Sequence, residues 1–243
     1  MIRAIIFTIA LLLGSAAGHA DVVRGKASII DGNTLSIGGR LLRLAGIEAP
    51  ESNQRCRLPS GTEWFCGRAA AQVLFLIAHE RDTICTTLSS REAADGAPYA
   101  YCTIATKDVG IEMIRAGMAW AAKDSPYDYR EIEAIAAEKK IGVFQATTER
   151  ADAFRARRWR EAKAERAGEC PIKGNVDGFG RRIYHVPWSQ WYALTKVSES
   201  RGERWFCDER AAVAAGWRRA AWNFVPRLAA NDMPKGGVLE NQR

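Results

Sequence analysis

The stretch Ile30-Asp31-Gly32-Asn33-Thr34-Leu35-Ser36-Ile37-Gly38-Gly39-Arg40-Leu41-Leu42-Arg43-Leu44-Ala45-Gly46-Ile47-Glu48-Ala49-Pro50-Glu51 decides the fold. Asp31-Gly32-Asn33 is a turn signal between β-branched and aliphatic residues, so it reads as a hairpin. Gly38-Gly39 can supply the positive φ of a second tight turn. Side chains alternate faces along a strand, so Arg43 points away from Leu42 and Leu44, which are left for a core. Glu48 and Glu51 follow a few residues later. A guanidinium, two carboxylates and an Asp-Gly-Asn turn gathered at a strand end suggest a cation and a phosphate handled side by side.

On these residues the chain resembles the staphylococcal nuclease (thermonuclease) family, whose pattern is Asp-Gly-Asp-Thr followed by Arg-Leu-x-Gly-Ile-(Asp/Glu)-Ala-Pro-Glu. The resemblance runs from about Asp21 to Phe144. It implies an α+β fold, an OB-type five-stranded β-barrel with helices packed against it. It also implies calcium-dependent attack of water on a phosphodiester of nucleic acid. By position, Glu51 would be the general base and Arg43 a phosphate clamp. Asn33 and Glu48 would offer side-chain oxygens to Ca²⁺ and Ala49 its carbonyl, with Asp31 in the same turn.

Two departures bear on activity. The family has Asp where Asn33 stands; an amide still offers an oxygen to calcium but brings no charge. The family also places a second phosphate-binding Arg in an Asp-x-Tyr-Gly-Arg loop. Here that loop reads Ala94-Asp95-Gly96-Ala97-Pro98-Tyr99-Ala100-Tyr101-Cys102, with Ala97 at the Arg position. Loss of one preorganised donor typically lowers the rate on the order of 10²–10³-fold. Arg91 in the same loop is the candidate substitute. The expected activity is therefore a weak or eroded phosphodiesterase. The rival readings are a non-catalytic protein holding nucleic acid or an acidic polysaccharide in the same cleft, and a structural envelope protein. The polysaccharide rival comes from relatives named for exopolysaccharide (succinoglycan) biosynthesis.

Arg3, the mostly apolar run from Ala4 to Leu13 and the small-x-small end Gly18-His19-Ala20 have the layout of a secretory signal peptide, residues 1–20. About ten apolar residues are too few to span a bilayer. The mature protein is expected to be exported, periplasmic or extracellular, without stable membrane insertion. Six cysteines follow the leader, an even number that favours disulfides in an exported chain. Locality and the family-like pattern favour Cys56–Cys66, Cys85–Cys102 and Cys170–Cys207. A zinc site is the competing use, but there is no Cys-x-x-Cys.

The chain carries a net charge of +7. From Asp21 to Arg150 there are 16 basic and 17 acidic residues, and from Ala151 onward 18 basic and 11 acidic. A polyanion would therefore be held mainly by the C-terminal part.

The pattern predicts strands at Val22–Ile30, Thr34–Ile37, Arg40–Leu44, Thr83–Leu88 and Tyr99–Thr106. A helix from Glu63 to Glu80 carries Trp64, Ala70, Val73, Leu74 and Ile77 at helical spacing. Ser89 to Pro98 is left as the altered substrate loop. Asp108 caps a short helix that Gly117 ends, and Tyr129 to Lys140 forms another with Ile132, Ile135 and Ala136 inward. Tyr127 and Tyr129 stand where the family tends to place aromatics near the nucleotide; packing on the barrel rim is the other use for them.

The barrel domain is bounded at 21–146. Residues 147–168 form a basic helical linker in which Arg155, Arg157, Arg158, Arg160, Lys163 and Arg166 accompany Phe154 and Trp159. That linker can grip a phosphate backbone and stack a base, or simply lie solvated against the barrel. Residues 169–220 form a second module, with Cys170-Pro-Ile-Lys-Gly-Asn175, Arg182-Ile-Tyr184-His185, Gly202-Glu-Arg-Trp205-Phe206-Cys207 and Gly216-Trp217-Arg218. It resembles the small "sunset" modules that end bacterial envelope proteins. Such a unit is too small to rely on its core alone, so a disulfide is expected. Cys170, His185 and Cys207 as metal ligands would lack a fourth. The tail, 221–243, is Gly, Pro and polar toward its end and is expected to be partly disordered.

Overall fold

The alternation in the opening stretch puts Leu35 and Leu42 on one face, where they become Cα partners across a ladder and are fully buried. The computed structural model describes residues 20–220 except Ala167; the expected leader and the tail lie outside the described residues. In chain order come β1 Val22–Ile29, β2 Thr34–Ile37, β3 Arg40–Leu44 and the short β4 Ile47–Glu48. A small hairpin, β5 Cys56–Arg57 with β6 Glu63–Trp64, leads into helix α1 Cys66–Ala78. Then follow β7 Asp82–Glu92, β8 Pro98–Ile104, β9 Lys107–Asp108, α2 Val109–Arg115, β10 Trp120–Ala121 and α3 Tyr127–Glu138. Helix α4 Ala151–Glu165 joins the barrel to a module of β11 Ile172–Val176, β12 Arg182–His185, β13 Arg204–Phe206, α5 Glu209–Ala214 and β14 Arg218–Arg219.

The first sheet runs β3-β2-β1-β7-β8-β9, and a parallel pairing of β3 with β8 closes it into the expected five-stranded mixed barrel. Gly38 and Gly39 take φ of 57° and 84° in the β2–β3 turn. Ile29, Leu44, Leu74, Met113 and Ile114 fill the core under α1 and α2. Asp108 caps α2 by accepting from the Ile111 N–H at 2.9 Å. No helix among the described residues is long and apolar enough to cross a membrane.

The disulfides are Cys56–Cys66, Cys85–Cys102 and Cys170–Cys207, the pairing that locality and the family-like pattern favoured. Zinc chemistry at Cys170 and Cys207 is thereby excluded, and His185 Nε2 meets the Asn175 side-chain oxygen at 2.9 Å. Three boundaries differ from expectation. The supposed loop from Ser89 to Pro98 is mostly strand: β7 continues to Glu92, which pairs with Pro98, and an Asp95-Gly96 turn joins the two. Helix α1 begins at Cys66, because Glu63 and Trp64 are drawn into the hairpin that the first disulfide pins. Helix α3 begins at Tyr127, directly after Pro126.

The second module has a small core of Ile172, Tyr184, Val186, Phe206, Ala212 and Trp217, with Trp159 of α4 packed against it. Helix α4 thus completes the module's core while lying on the barrel.

One close approach ties the fold to the chemistry. A Cβ at Gly67, at the start of α1, would sit 1.7 Å from the Glu51 carbonyl oxygen. Gly67→Ala is expected to lower unfolding stability by about 2–3 kcal/mol, since helix and Glu51 segment must part. Urea unfolding measures it; an unchanged midpoint would contradict this packing.

Candidate functional site

Strand β3 carries Arg43 with Leu42 and Leu44 buried on the opposite side, and pairs it with Thr34 on β2 and Tyr99 on β8. Strand β4 presents Glu48, held in a two-residue ladder with Trp120. The turn after it fixes Glu51: the Glu51 N–H donates to Gln54 Oε1 at 3.1 Å, and the Gln54 N–H donates to the Glu51 carbonyl at 2.7 Å. Asn33 is buried at the first turn, where its N–H donates to Asp31 Oδ1 at 3.0 Å. Asn33, Arg43 and Glu48 line one cavity at this end of the barrel, and Glu51 lines the small space beside it.

A residue from outside the barrel enters this group. Arg155, on α4, donates from Nη1 to Glu48 Oε2 at 2.9 Å and to Glu51 Oε1 at 2.7 Å. The start of α4 is held down on both sides. The Gln54 amide donates to the Glu149 carbonyl at 2.7 Å, and Arg150 reaches the Ala121 carbonyl at 2.7 Å and Glu133 at 3.0 Å. Burial raises the Glu51 carboxyl above its ordinary pKa, against the pull of Arg155 and Arg219. Burial would lower Arg155, but Glu51 and Glu48 outweigh it and hold the guanidinium charged.

A second group joins the C-terminal module to the same mouth. Asp95 Oδ2 accepts from Arg43 Nη2 at 3.1 Å and from Arg219 Nη1 at 3.2 Å. Arg219 lies on β14, placed by parallel pairing with β12, and also approaches Glu209, which accepts from the Tyr184 hydroxyl at 2.9 Å. Side-chain exposure is 11% for Arg43, 9% for Arg219 and 3% for Asp95, so these charges are largely out of water. Burial pushes the Asp95 carboxyl up, yet Arg43 and Arg219 together overcome it and hold it below the ordinary carboxylate range.

Between these groups lies a cavity of about 510 Å³, within the usual size of a ligand site. Its walls come from all three parts: Asn33, Arg43, Glu48 and Tyr99 from the barrel, Arg155, Trp159 and Arg160 from α4, and Trp188, Glu209 and Arg219 from the module. The Trp159 and Trp188 ring centroids lie 6.1 Å apart, with the ring planes tilted by 45°. Beside it, a space of about 20 Å³, room for roughly one water, is lined by Asp31, Glu51, Ser189, Gln190 and Arg219 among others.

Comparison with known proteins fits this arrangement. A family model described as staphylococcal nuclease homologue matches residues 41–146. The chain is also 34% identical over 150 residues to the succinoglycan biosynthesis protein ExoI of Rhizobium meliloti (strain 1021), covering 60% of this chain and 77% of that protein. This chain belongs to the staphylococcal nuclease homologue family.

The family implies calcium, and the donor set here does not suit it. Calcium takes six to eight oxygens, several of them charged. Glu48 and Glu51 are both engaged by Arg155, and position 33 offers a neutral amide. Among the described residues no cluster of three or more His, Cys, Asp or Glu is arranged to hold a metal ion. Asp31 turns its Oδ1 to its own loop.

The expected substrate residues fall elsewhere. Arg91 pairs with Asp124 and lies over the Tyr99 ring at 4.6 Å, so it backs a cavity wall without lining it. Tyr127 is 69% exposed at the start of α3, and Tyr129 is 2% exposed. The Tyr129 hydroxyl donates to Asp108 at 2.7 Å and its ring packs on Gly46. Neither tyrosine lines the cavity. Ala97 is buried in the Asp95 turn, and the guanidiniums that bond Asp95 there are those of Arg43 and Arg219. Sequence reading missed Arg155, Arg219, Asp95, Glu209 and the two tryptophans as a group, because chain segments about a hundred residues apart bring them together.

Replacing Asp95 with Asn would leave two buried guanidiniums short of their shared anion. The loss is expected to be about 3–5 kcal/mol at neutral pH. The sign with pH follows from the lowered folded-state pKa: the pairing stabilises above the ordinary carboxylate pKa of about 3.9 and is lost as pH falls through the folded value. Asp95→Asn should therefore show a flatter acid limb in a stability–pH series. A variant with wild-type stability and the same acid limb would refute the shared pairing.

Proposed function

We propose that this protein is exported and binds single-stranded nucleic acid in the three-walled cleft, cleaving it slowly at most. One observation carries the reading: Tyr99, Trp159 and Trp188 share a single cavity with Arg43, Arg155, Arg160 and Arg219. Flat side chains beside guanidiniums suit a chain of bases and phosphates, and base–aromatic stacking is worth about 1–3 kcal/mol per base. Arg160 is exposed at the cavity wall and makes no ion pair among the described residues, so it is a donor that a phosphate oxygen would satisfy. Three disulfides support export to an oxidising compartment. Slow cleavage follows from Glu51: a base must offer its oxygen to water, and here Arg155 takes that oxygen.

The name of the ExoI relative favours a second reading, an acidic exopolysaccharide in the same cleft. Sugar rings also pack on tryptophan, and guanidiniums pair with carboxylates bidentately.

The test is binding of a labelled single-stranded oligonucleotide to the full mature chain in EDTA. Submicromolar to micromolar affinity that falls with salt is expected, with Arg160→Ala weakening it roughly tenfold at unchanged melting temperature. Any cleavage should be slow and lost in Glu51→Gln. No binding to the oligonucleotide together with tight binding to a polyuronate would favour the second reading; rapid calcium-stimulated cleavage would contradict the first.

A further inference from the structure

We infer that Arg155 is a built-in substitute for a divalent cation, so that the cleft works without metal. The inference shares its site with the proposed function but stands on a different observation. One nitrogen, Arg155 Nη1, lies within 3 Å of a carboxylate oxygen of both Glu48 and Glu51. Two carboxylates converging on one point need a cation there; side by side without one, their like charges repel and one tends to keep its proton. The guanidinium supplies that charge from within the chain.

Its position is not accidental to a flexible side chain. Arg155 comes one helical turn after Ala151, which is fully buried at the start of α4. That start is held by the Gln54–Glu149 and Arg150–Ala121 hydrogen bonds. A group tethered in this way competes as if present at millimolar concentration or higher. A free cation has to displace it and then accept an incomplete set of oxygens. Asn33, neutral where a charged ligand would favour the metal, removes a further part of the attraction. The neighbouring arginines of α4 do not share this role. Arg157 pairs with Glu149 and Glu161 and Arg158 with Glu161, while Arg166, just past the helix, pairs with Glu169.

The experiment is calcium titration of the full mature chain by calorimetry, with melting temperature read in parallel. Wild type is expected to bind no calcium up to about 10 mM and to melt at the same temperature in calcium and EDTA. Arg155→Met should gain saturable calcium binding at millimolar or tighter Kd, with a melting temperature that rises by a few degrees in calcium. Adding Glu48→Gln to that variant should abolish the gain, and Arg155→Lys, which keeps the charge, should bind none. Saturable binding to wild type overturns the inference, as does an Arg155→Met protein that binds no more than wild type. Should Arg155→Met not fold, Arg155→Gln takes its place in the titration: a gain of saturable calcium binding over wild type upholds the inference, and no gain refutes it. These readouts do not involve an oligonucleotide, so failure here and failure of the binding proposal are distinct results.

Discussion

Arg155 lies between Glu48 and Glu51 at hydrogen-bond distance from both, and side-chain exposure there is 26%, 24% and 10%. Moving a carboxylate this far from water costs several kcal/mol unless a cation and good hydrogen bonds replace the solvent. The barrel folds its two carboxylates into one mouth because Ile47 must be buried beside Glu48 and the Gln54 turn fixes Glu51. Among the described residues no barrel cation pairs with either; Arg155 of α4 pairs with both. Helix α4 therefore docks where it does, and with it comes Trp159, which the small module needs against its core. Arg155 is thus one of the contacts that set α4, and the module with it, on the barrel.

The second joint repeats this logic with reversed charge. Arg43 and Arg219 arrive from different parts of the chain and share Asp95. From Arg219 the contacts continue to Glu209 and to the buried Tyr184 hydroxyl. Asp31, Glu48, Glu51, Asp95 and Glu209 together outnumber the inner arginines 43, 155 and 219. The inner end of the cleft is thus not a reservoir of free positive charge. What remains for a ligand is the aromatic surface and the exposed Arg160 at the cavity wall. Binding here would lean on stacking and shape more than the chain's basic C-terminal composition implies.

The barrel was legible through the family resemblance, and its first strands and turns because their signals are local. Asp31-Gly-Asn33, Gly38-Gly39 and the alternation through Leu42 and Leu44 each dictate a turn or a face within a few residues. The grouping of Asn33, Arg43, Glu48 and Glu51 was legible for the same reason, since one hairpin and one turn carry all four. The cysteine pairs followed from the family-like pattern together with locality. Asp95-Gly96 is a hairpin signal of the same kind, but Ser89 and the alanines around it mask the strand. Arg155 was hidden among six basic residues of one segment. Helical geometry separates it from most of them, for Ala151, Arg155, Arg158 and Ala162 share a face, and Ala151 and Ala162 are buried. Nothing local reveals that this face meets Glu48 and Glu51, or that Arg219 meets Asp95. Those contacts depend on how three units pack.

The most direct measurement is a crystal structure of the mature chain grown in about 10 mM calcium. The account expects a planar guanidinium continuous with α4 between the Glu48 and Glu51 carboxylates, with no ion bound to either. A spherical peak at roughly 2.3–2.6 Å from those oxygens, with Arg155 turned away from them, would contradict it.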